Sequence, residues 1–265
     1  MTPTDPRHLF SDLLVYLKMA VAHTDRPMAV VLAQWDSEAD WQLEELPVTD
    51  PHLASLLGPR VTHAVRSSDG QPVAGHPILV LGNGGLGLLW MRDNYPGFEG
   101  VQGQLRQLSR AAAAAFPLMP LHAILWRYLD MYSGSAVEDG GERYITWPAD
   151  PLYDRPVDSW TSYISLPHHA SDALDLSLRM DGRRVGASAA DSRYLMFTEA
   201  CIRAADPLAG VDPLSEGPLE MMRSLRLWAK FAFWGSLTQN GRQSLRHLFS
   251  DDEVTTFARE PRVST

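Results

Sequence analysis

Apolar positions along the chain follow two rhythms, one of period two and one of three to four, and their succession lays out an α+β protein. The sharpest stretch is Ile78-Leu79-Val80-Leu81-Gly82-Asn83-Gly84-Gly85-Leu86-Gly87-Leu88-Leu89-Trp90-Met91. Two apolar runs flank an Asn-Gly pair, which supplies the positive-φ residues that a tight hairpin requires. After the loop Arg92–Gly100, residues Val101, Leu105, Leu108, Ala112, Ala115 and Phe116 recur three or four apart and predict an amphipathic helix over Val101–Phe116. This hairpin and helix anchor the first half.

Upstream, Phe10, Leu13, Leu14, Leu17 and Val21 form the stripe of a first helix over Pro6–His23, ended by Asp25-Arg26-Pro27. Met28–Trp35, rich in Val and Leu, reads as a buried strand in a hairpin through Asp36–Asp40 with Trp41–Leu46. Thr49 or Asp50 caps a helix with Pro51 at its first position, and that helix, or a pair of short ones, runs to about Arg66. A turn at Ser67–Gly70 and a short strand at Gln71–Ala74 complete this part.

Pro117 and Pro120 make an unbroken helix across them costly and predict a hinge or re-start between two units, residues 7–116 and 121–258. In the second unit, Leu121, Ile124, Leu125, Tyr128 and Leu129 predict a helix over Leu121–Tyr132, followed by a loop at Ser133–Glu142. Strands are expected at Arg143–Trp147 and Trp160–Leu166, with an irregular Pro148–Pro156 between them. Leu174–Ala189 alternates apolar and polar residues about Asp181-Gly182, a hairpin pattern. Asp191 or Ser192 caps a helix to about Ala205, and Pro207–Pro218 is a loop. A helix at Leu219–Leu237, a break at Asn240-Gly241, a short helix at Arg242–Phe249 and a disordered tail after Arg259 follow. The expected fold is therefore α+β, an antiparallel sheet with packed helices in each of two domains.

Residues 7–116 resemble the GAF domain, a small-ligand sensory fold of the same broad type as PAS domains. The resemblance is carried by Val65-Arg66-Ser67-Ser68-Asp69-Gly70-Gln71-Pro72-Val73, similar to the family's helix end and Gln-Pro-Val strand. It is carried further by Leu86-Gly87-Leu88-Leu89-Trp90, similar to its Gly-x-Leu strand, and by Phe98, Leu105 and Leu108 of the closing helix. The resemblance implies a ligand pocket between sheet and helices, lined from Leu32, Gln34, Trp41, Leu57, Val61, Leu79 and Trp90, with Trp35 as a further wall. No cysteine stands where a covalent bilin would need one, and the family's cyclic-nucleotide signature is absent. The second half resembles no family.

The net charge of −9 on 265 residues argues against a general nucleic-acid-binding surface. The single cysteine, Cys201, excludes an intramolecular disulfide and a multi-cysteine zinc site. The first apolar stretch, Leu9–Ala22, is interrupted by Ser11, Asp12 and Lys18, and no run reaches membrane-spanning length, so a cytoplasmic protein is expected. Arg-His-Leu-Phe-Ser-Asp occurs at both Arg7–Asp12 and Arg246–Asp251, and since the flanking residues do not repeat it reads as coincidence.

Gly82–Gly87 leads into a strand rather than a helix N-terminus, which removes the free N–H groups a phosphate loop needs. His168 and His169, with Asp154 and Tyr163, form a possible polar site, although no metalloprotease, serine-hydrolase or Ser-x-x-Lys spacing is present and no metal or cofactor is implied. Trp228, Phe231 and Trp234 make the Leu219–Leu237 helix apolar nearly all round, a central helix or a homodimer interface. The sequence thus reads as a non-catalytic regulatory or protein-interaction protein with a possible small ligand. The alternatives are an enzyme using the His/Asp site of the second half and a dimeric DNA-associated stress protein.

Overall fold

One strand, β1 (Asp12–Val21), has neighbours on both sides that come from opposite halves of the chain. The computed structural model describes residues 12–21, 27–68, 71–73, 76–82, 84–91, 94–115, 118–133, 145–146, 149–150, 155–156, 158–167, 174–185, 193–204, 212 and 214–259. After β1 come α1 (Pro27–Trp35), β2 (Asp40–Pro47), α2 (Pro51–Leu57), β3 (Arg60–Ser68), β4 (Gln71–Pro72), β5 (Ile78–Gly82), β6 (Gly85–Met91) and α3 (Gly97–Ala115). The second half contributes β7 (Leu118–Ser133), the two-residue pair β8 (Ala149–Asp150) and β9 (Arg155–Pro156), β10 (Ser159–Pro167), β11 (Leu174–Val185) and β12 (Arg193–Ala204). Helices α4 (Gly217–Ser236), α5 (Gln239–Ser244) and α6 (Asp251–Arg259) close the chain, with a 3₁₀ turn at Arg246–Leu248.

All the strands but β8 and β9 form one ten-stranded antiparallel sheet in the order β10-β11-β12-β7-β1-β6-β5-β3-β2, with β4 beside β3. The α+β class holds, and the strands on either side of Pro117 belong to this one sheet. Pro120, expected at a hinge, lies inside β7.

The sheet has two unlike faces. On the near face α1 packs against α3, α4 covers β7, β11 and β12, and Val15, Leu17, Leu88, Trp90, Leu105, Leu108, Trp126 and Leu225 share one buried core. On the far face α2 sets Leu56 and Leu57 over Tyr16, Val80, Leu125 and Cys201. Gly82, Gly85 and Gly87 belong to this second layer: a Cβ at Gly85 would stand 2.6 Å from the Tyr16 ring, and one at Gly87 2.6 Å from the Val15 carbonyl oxygen. The glycine-rich segment is therefore a floor for Tyr16, closed by a turn in which Gly84 takes φ +72°.

The hairpin of β5 and β6, the closing helix α3, the Asp50 cap of α2, β2, β10 and α4 occupy the positions that the sequence pattern indicates. Seven segments differ. The expected first helix is β1 and the expected helix over Leu121–Tyr132 is β7. Val15–Leu17 of β1 and Ala123–Trp126 of β7 are buried on two faces, so the apolar residues there run continuously and satisfy a helical spacing as readily as an alternation. The expected strand Met28–Trp35 is α1, a short apolar run that periodicity alone does not assign. The helix begun at Pro51 stops at Leu57, where Gly58 takes φ +90°, and Arg60–Arg66 is β3. Thus Val65 to Ser68 ends a strand that turns into β4, not a helix.

Asp181-Gly182 does not turn: Asp181 lies opposite Thr161 and Phe197 within a continuous β11. The segment read as a helix capped by Asp191 or Ser192 is β12 from Arg193 on. Asn240-Gly241, read as a break, lies in α5, whose Thr238 side chain accepts a hydrogen bond from the Gly241 N–H. Of the expected strand Arg143–Trp147, Ile145 forms a bridge to Leu237. Most of the expected loops Ser133–Glu142 and Pro207–Pro218, the caps Asp191 and Ser192 and the tail after Arg259 lie outside the described residues. Among the described residues no helix is long and apolar enough to cross a membrane.

Two glycines separate close packing from open helix surface. Gly87→Ala forces a methyl against the Val15 carbonyl and should lower stability by about 1–3 kcal/mol. Gly103→Ala, with nothing within 4 Å of the new methyl in α3, should raise it by about 0.5–1 kcal/mol. Urea unfolding of the two variants beside the parent measures both signs.

Candidate functional site

The cleft begins where α1 hands over to the edge strand β2. Trp41 stands opposite Arg66 in the β2–β3 ladder, and both project to the near face. The Asp36 carbonyl accepts a hydrogen bond from Trp41 Nε1 at 3.3 Å, and its carboxylate pairs with Arg66 Nη1 at 3.2 Å. These bonds hold the Trp35 and Trp41 rings 6.1 Å apart and inclined by 35°, an aromatic wall. Helix α3 faces it with Gln104, Gln107, Arg110, Ala111 and Ala114, while His76 and Pro77 close a third side. The cleft, open to solvent on its remaining side, has a volume of about 610 Å³.

Donors dominate this cleft. Asp36 is balanced by Arg66. Buried Trp90 gives its Nε1–H to Gln104 Oε1 at 2.7 Å, which leaves the Gln104 amide NH₂ as the group it can offer. Arg106, one turn before Arg110, is held by Glu216 at 2.9 Å, whereas exposed Arg110 makes no ion pair with the described residues.

A second polar cluster lies on the far face. Asp50 caps α2 by accepting from the His52 and Leu53 N–H groups, and its other oxygen accepts from Arg127 Nη2 at 3.1 Å. Arg127, opposite Glu199 in the ladder, reaches that carboxylate at 3.4 Å and lies over the Phe197 ring at 4.5 Å. Glu199 also meets His52 Nε2 at 2.5 Å. One strand further, Asp181 accepts from Arg179 Nε at 3.1 Å and from the Thr161 hydroxyl at 2.7 Å. Burial works to raise the Asp50 carboxyl, but Arg127 and the two backbone N–H groups outweigh it and hold Asp50 below the ordinary carboxylate range.

On the near face, under α4, Asp130 is buried beside Tyr128, and burial lifts its carboxyl well above the usual range. Burial likewise raises the Tyr95 and Tyr128 phenols, which share the Arg226 guanidinium.

Of the residues expected to line a pocket, Gln34 and Trp41 line the cleft with Trp35. Leu32, Leu79 and Trp90 are fully packed in the core beneath it. Val61 and Leu57 lie on the far face. Tyr163 is exposed on β10, opposite Arg179, and His168, His169 and Asp154 lie outside the described residues. Trp228 and Phe231 meet edge to face on α4, and Trp234 packs against Phe249 of the same chain. Among the described residues no three His, Cys, Asp or Glu converge as a metal site requires.

The sequence reading missed Arg110 in the cleft and the whole far-face cluster. Arg127 and Glu199 both lay in segments with helical spacing, where nothing places them opposite one another. The polar phase of β11, Arg179 and Asp181, was the one available signal.

Arg127→Met removes the guanidinium shared by two buried carboxylates and should cost about 3–5 kcal/mol at pH 7. Because the folded Asp50 pKa is depressed, its contribution is present above the unfolded value near 3.9 and lost as pH falls through the folded one. The gap between parent and variant in urea midpoints should therefore narrow in acid. Asp130 has the opposite sign: below about pH 4 both states hold the proton, and above it the unfolded chain releases it more readily than the folded one, so stability declines with rising pH. Asp130→Asn should match the parent near pH 3.5 and exceed it in melting temperature at pH 8. No protein-family model matches this chain, and no curated protein is significantly similar to it.

Proposed function

We propose that this chain is a non-catalytic regulatory protein whose N-terminal unit, GAF-like over residues 7–116, takes up a small ligand and reports its presence to the unit of residues 121–258. The observation that carries the reading is the cleft between α1, α3 and the β2–β3 edge. Its volume of about 610 Å³ falls in the range of small-molecule sites, and it joins an apolar aromatic wall to a few convergent donors.

A route for the report is also on hand. Trp41 belongs to β2, β2 ends at Pro47, and Asp50 of the next turn grips Arg127 in β7. A ligand that draws Trp41 inward pulls on the segment that starts α2, and through Asp50 and His52 on strands β7 and β12 of the second unit. The coupling then consists of a shift between two arrangements of α2, each with its own affinity for the ligand.

Native mass spectrometry after incubation with a cellular metabolite extract tests this. The protein is expected to carry a small molecule that denaturation releases. Ala114→Trp, which fills the cleft from an exposed position on α3, should remove it without altering the melting temperature by more than a few degrees. A parent that stays at its own mass in every extract, or an Ala114→Trp variant that binds as well as the parent, would overturn the reading.

A further inference from the structure

The cleft's chemistry defines the class of its occupant, an inference that rests on the ligand-binding reading above. We infer that the ligand is a planar aromatic monocarboxylate, its ring against Trp35 and Trp41 and its carboxylate on Arg110 and the Gln104 amide.

Three observations select this class. The aromatic wall is built from two indole rings 6.1 Å apart and inclined by 35°, a surface that a flat ring covers and a flexible aliphatic chain does not match. Among the described residues the charges in the cleft leave one cation over: Asp36 and Arg66 neutralise each other at 3.2 Å, and Arg110 remains. A guanidinium receives a carboxylate through two parallel N–H donors, and Gln104, its oxygen already taken by Trp90, contributes donors as well. Finally, the cleft meets the C-terminal end of α1 at Gln34 and Trp35 and the middle and last turns of α3, so no helix N-terminus points at it. The negative end of α1 disfavours a dianion such as a phosphate monoester and suits a neutral donor on the far side of the ring, an N–H or O–H.

Calorimetric titration of the full chain with indole-3-acetate, 4-hydroxyphenylacetate, indole-3-acetamide, phenyl phosphate and hexanoate tests the class. The two aromatic carboxylates should bind at least tenfold more tightly than the amide, the phosphate and the aliphatic acid. Arg110→Gln should weaken the carboxylates by about 10-fold or more, the loss of a charged hydrogen bond, and leave the amide unchanged. Arg106→Gln, whose arginine is held by Glu216, should leave every affinity as it was. Should the amide, the phosphate or hexanoate bind as tightly as the carboxylates, or Arg110→Gln bind normally, the class is wrong while the cleft remains a ligand site. If none of the five binds but mass spectrometry finds another molecule held in the cleft, the class again falls alone. Silence in both experiments removes the class and the sensory reading together.

Discussion

The double pairing of β1 is the constraint on which the remainder of this molecule hangs. Along one edge Leu14 faces Leu89, along the other it faces Arg127, and the same ten residues send Val15 and Leu17 into one core and Tyr16 into another. Val15, Tyr16 and Leu17, buried on both faces of a strand hydrogen-bonded on both edges, have no solvent-facing side on which to accept a polar substitution. Its partners lie far downstream, so the sheet closes only when distant segments have met, which places loop-closure entropy early in folding. The glycines of β6 follow from this: room for the Tyr16 ring exists because Gly85 and Gly87 carry no side chain.

The two halves then grow outward from β1 and β7 in the same manner. Each begins with its innermost strand, places its last strand next to it, β6 beside β1 and β12 beside β7, and ends in a long helix on the near face, α3 or α4. The repeated Arg-His-Leu-Phe-Ser-Asp string has no part in this parallel, since Asp12 opens β1 whereas Arg246–Leu248 is a 3₁₀ turn. What breaks the parallel is α2. It crosses to the far face and is held there by Arg127 and Glu199, residues of the other half. Ion pairs so deeply buried add little net stability over apolar packing, because desolvation offsets their attraction. Their effect is on geometry: a slip of β7 against β12 by one residue would part Arg127 from Glu199 and leave charge buried without a partner.

This division explains how much the sequence disclosed. The β5–β6 hairpin was legible because its turn chemistry is local, and α3 because one of its faces stays wet, as exposed Arg106, Gln107 and Arg110 show. The Asp50 cap was legible for the same reason: two backbone N–H groups within three residues satisfy it. By contrast β1, β7 and β12 take their form from what covers them. Leu121, Ile124, Leu125 and Tyr128 fit a helical stripe and also the two faces of a strand between α4 and α2, and tertiary context alone decides. With β7 and β12 unrecognised as neighbours, Arg127 and Glu199 had no visible relation. The cleft was half legible: Gln34 and Trp41 were named from one side, and Arg110 went unnoticed because an exposed arginine on a helix looks like ordinary solvation.

The position of the cleft at the sheet's periphery follows from the same hierarchy. Around Val15, Tyr16 and Leu17 of β1 the space is filled by two packed layers, and a ligand there would have to displace core. At β2 the ladder has a partner on one side only, most of the strand is exposed, and Leu43 is 52% accessible on the face that Trp41 shares. Such an edge carries fewer buried contacts than a central strand. Yet β2 is tied by a short connection to Asp50, which is tied to Arg127, which lies one strand from β1. The edge strand and the centre of the sheet are therefore joined through a buried carboxylate, a connection that exists because α2 crosses to the face opposite the cleft.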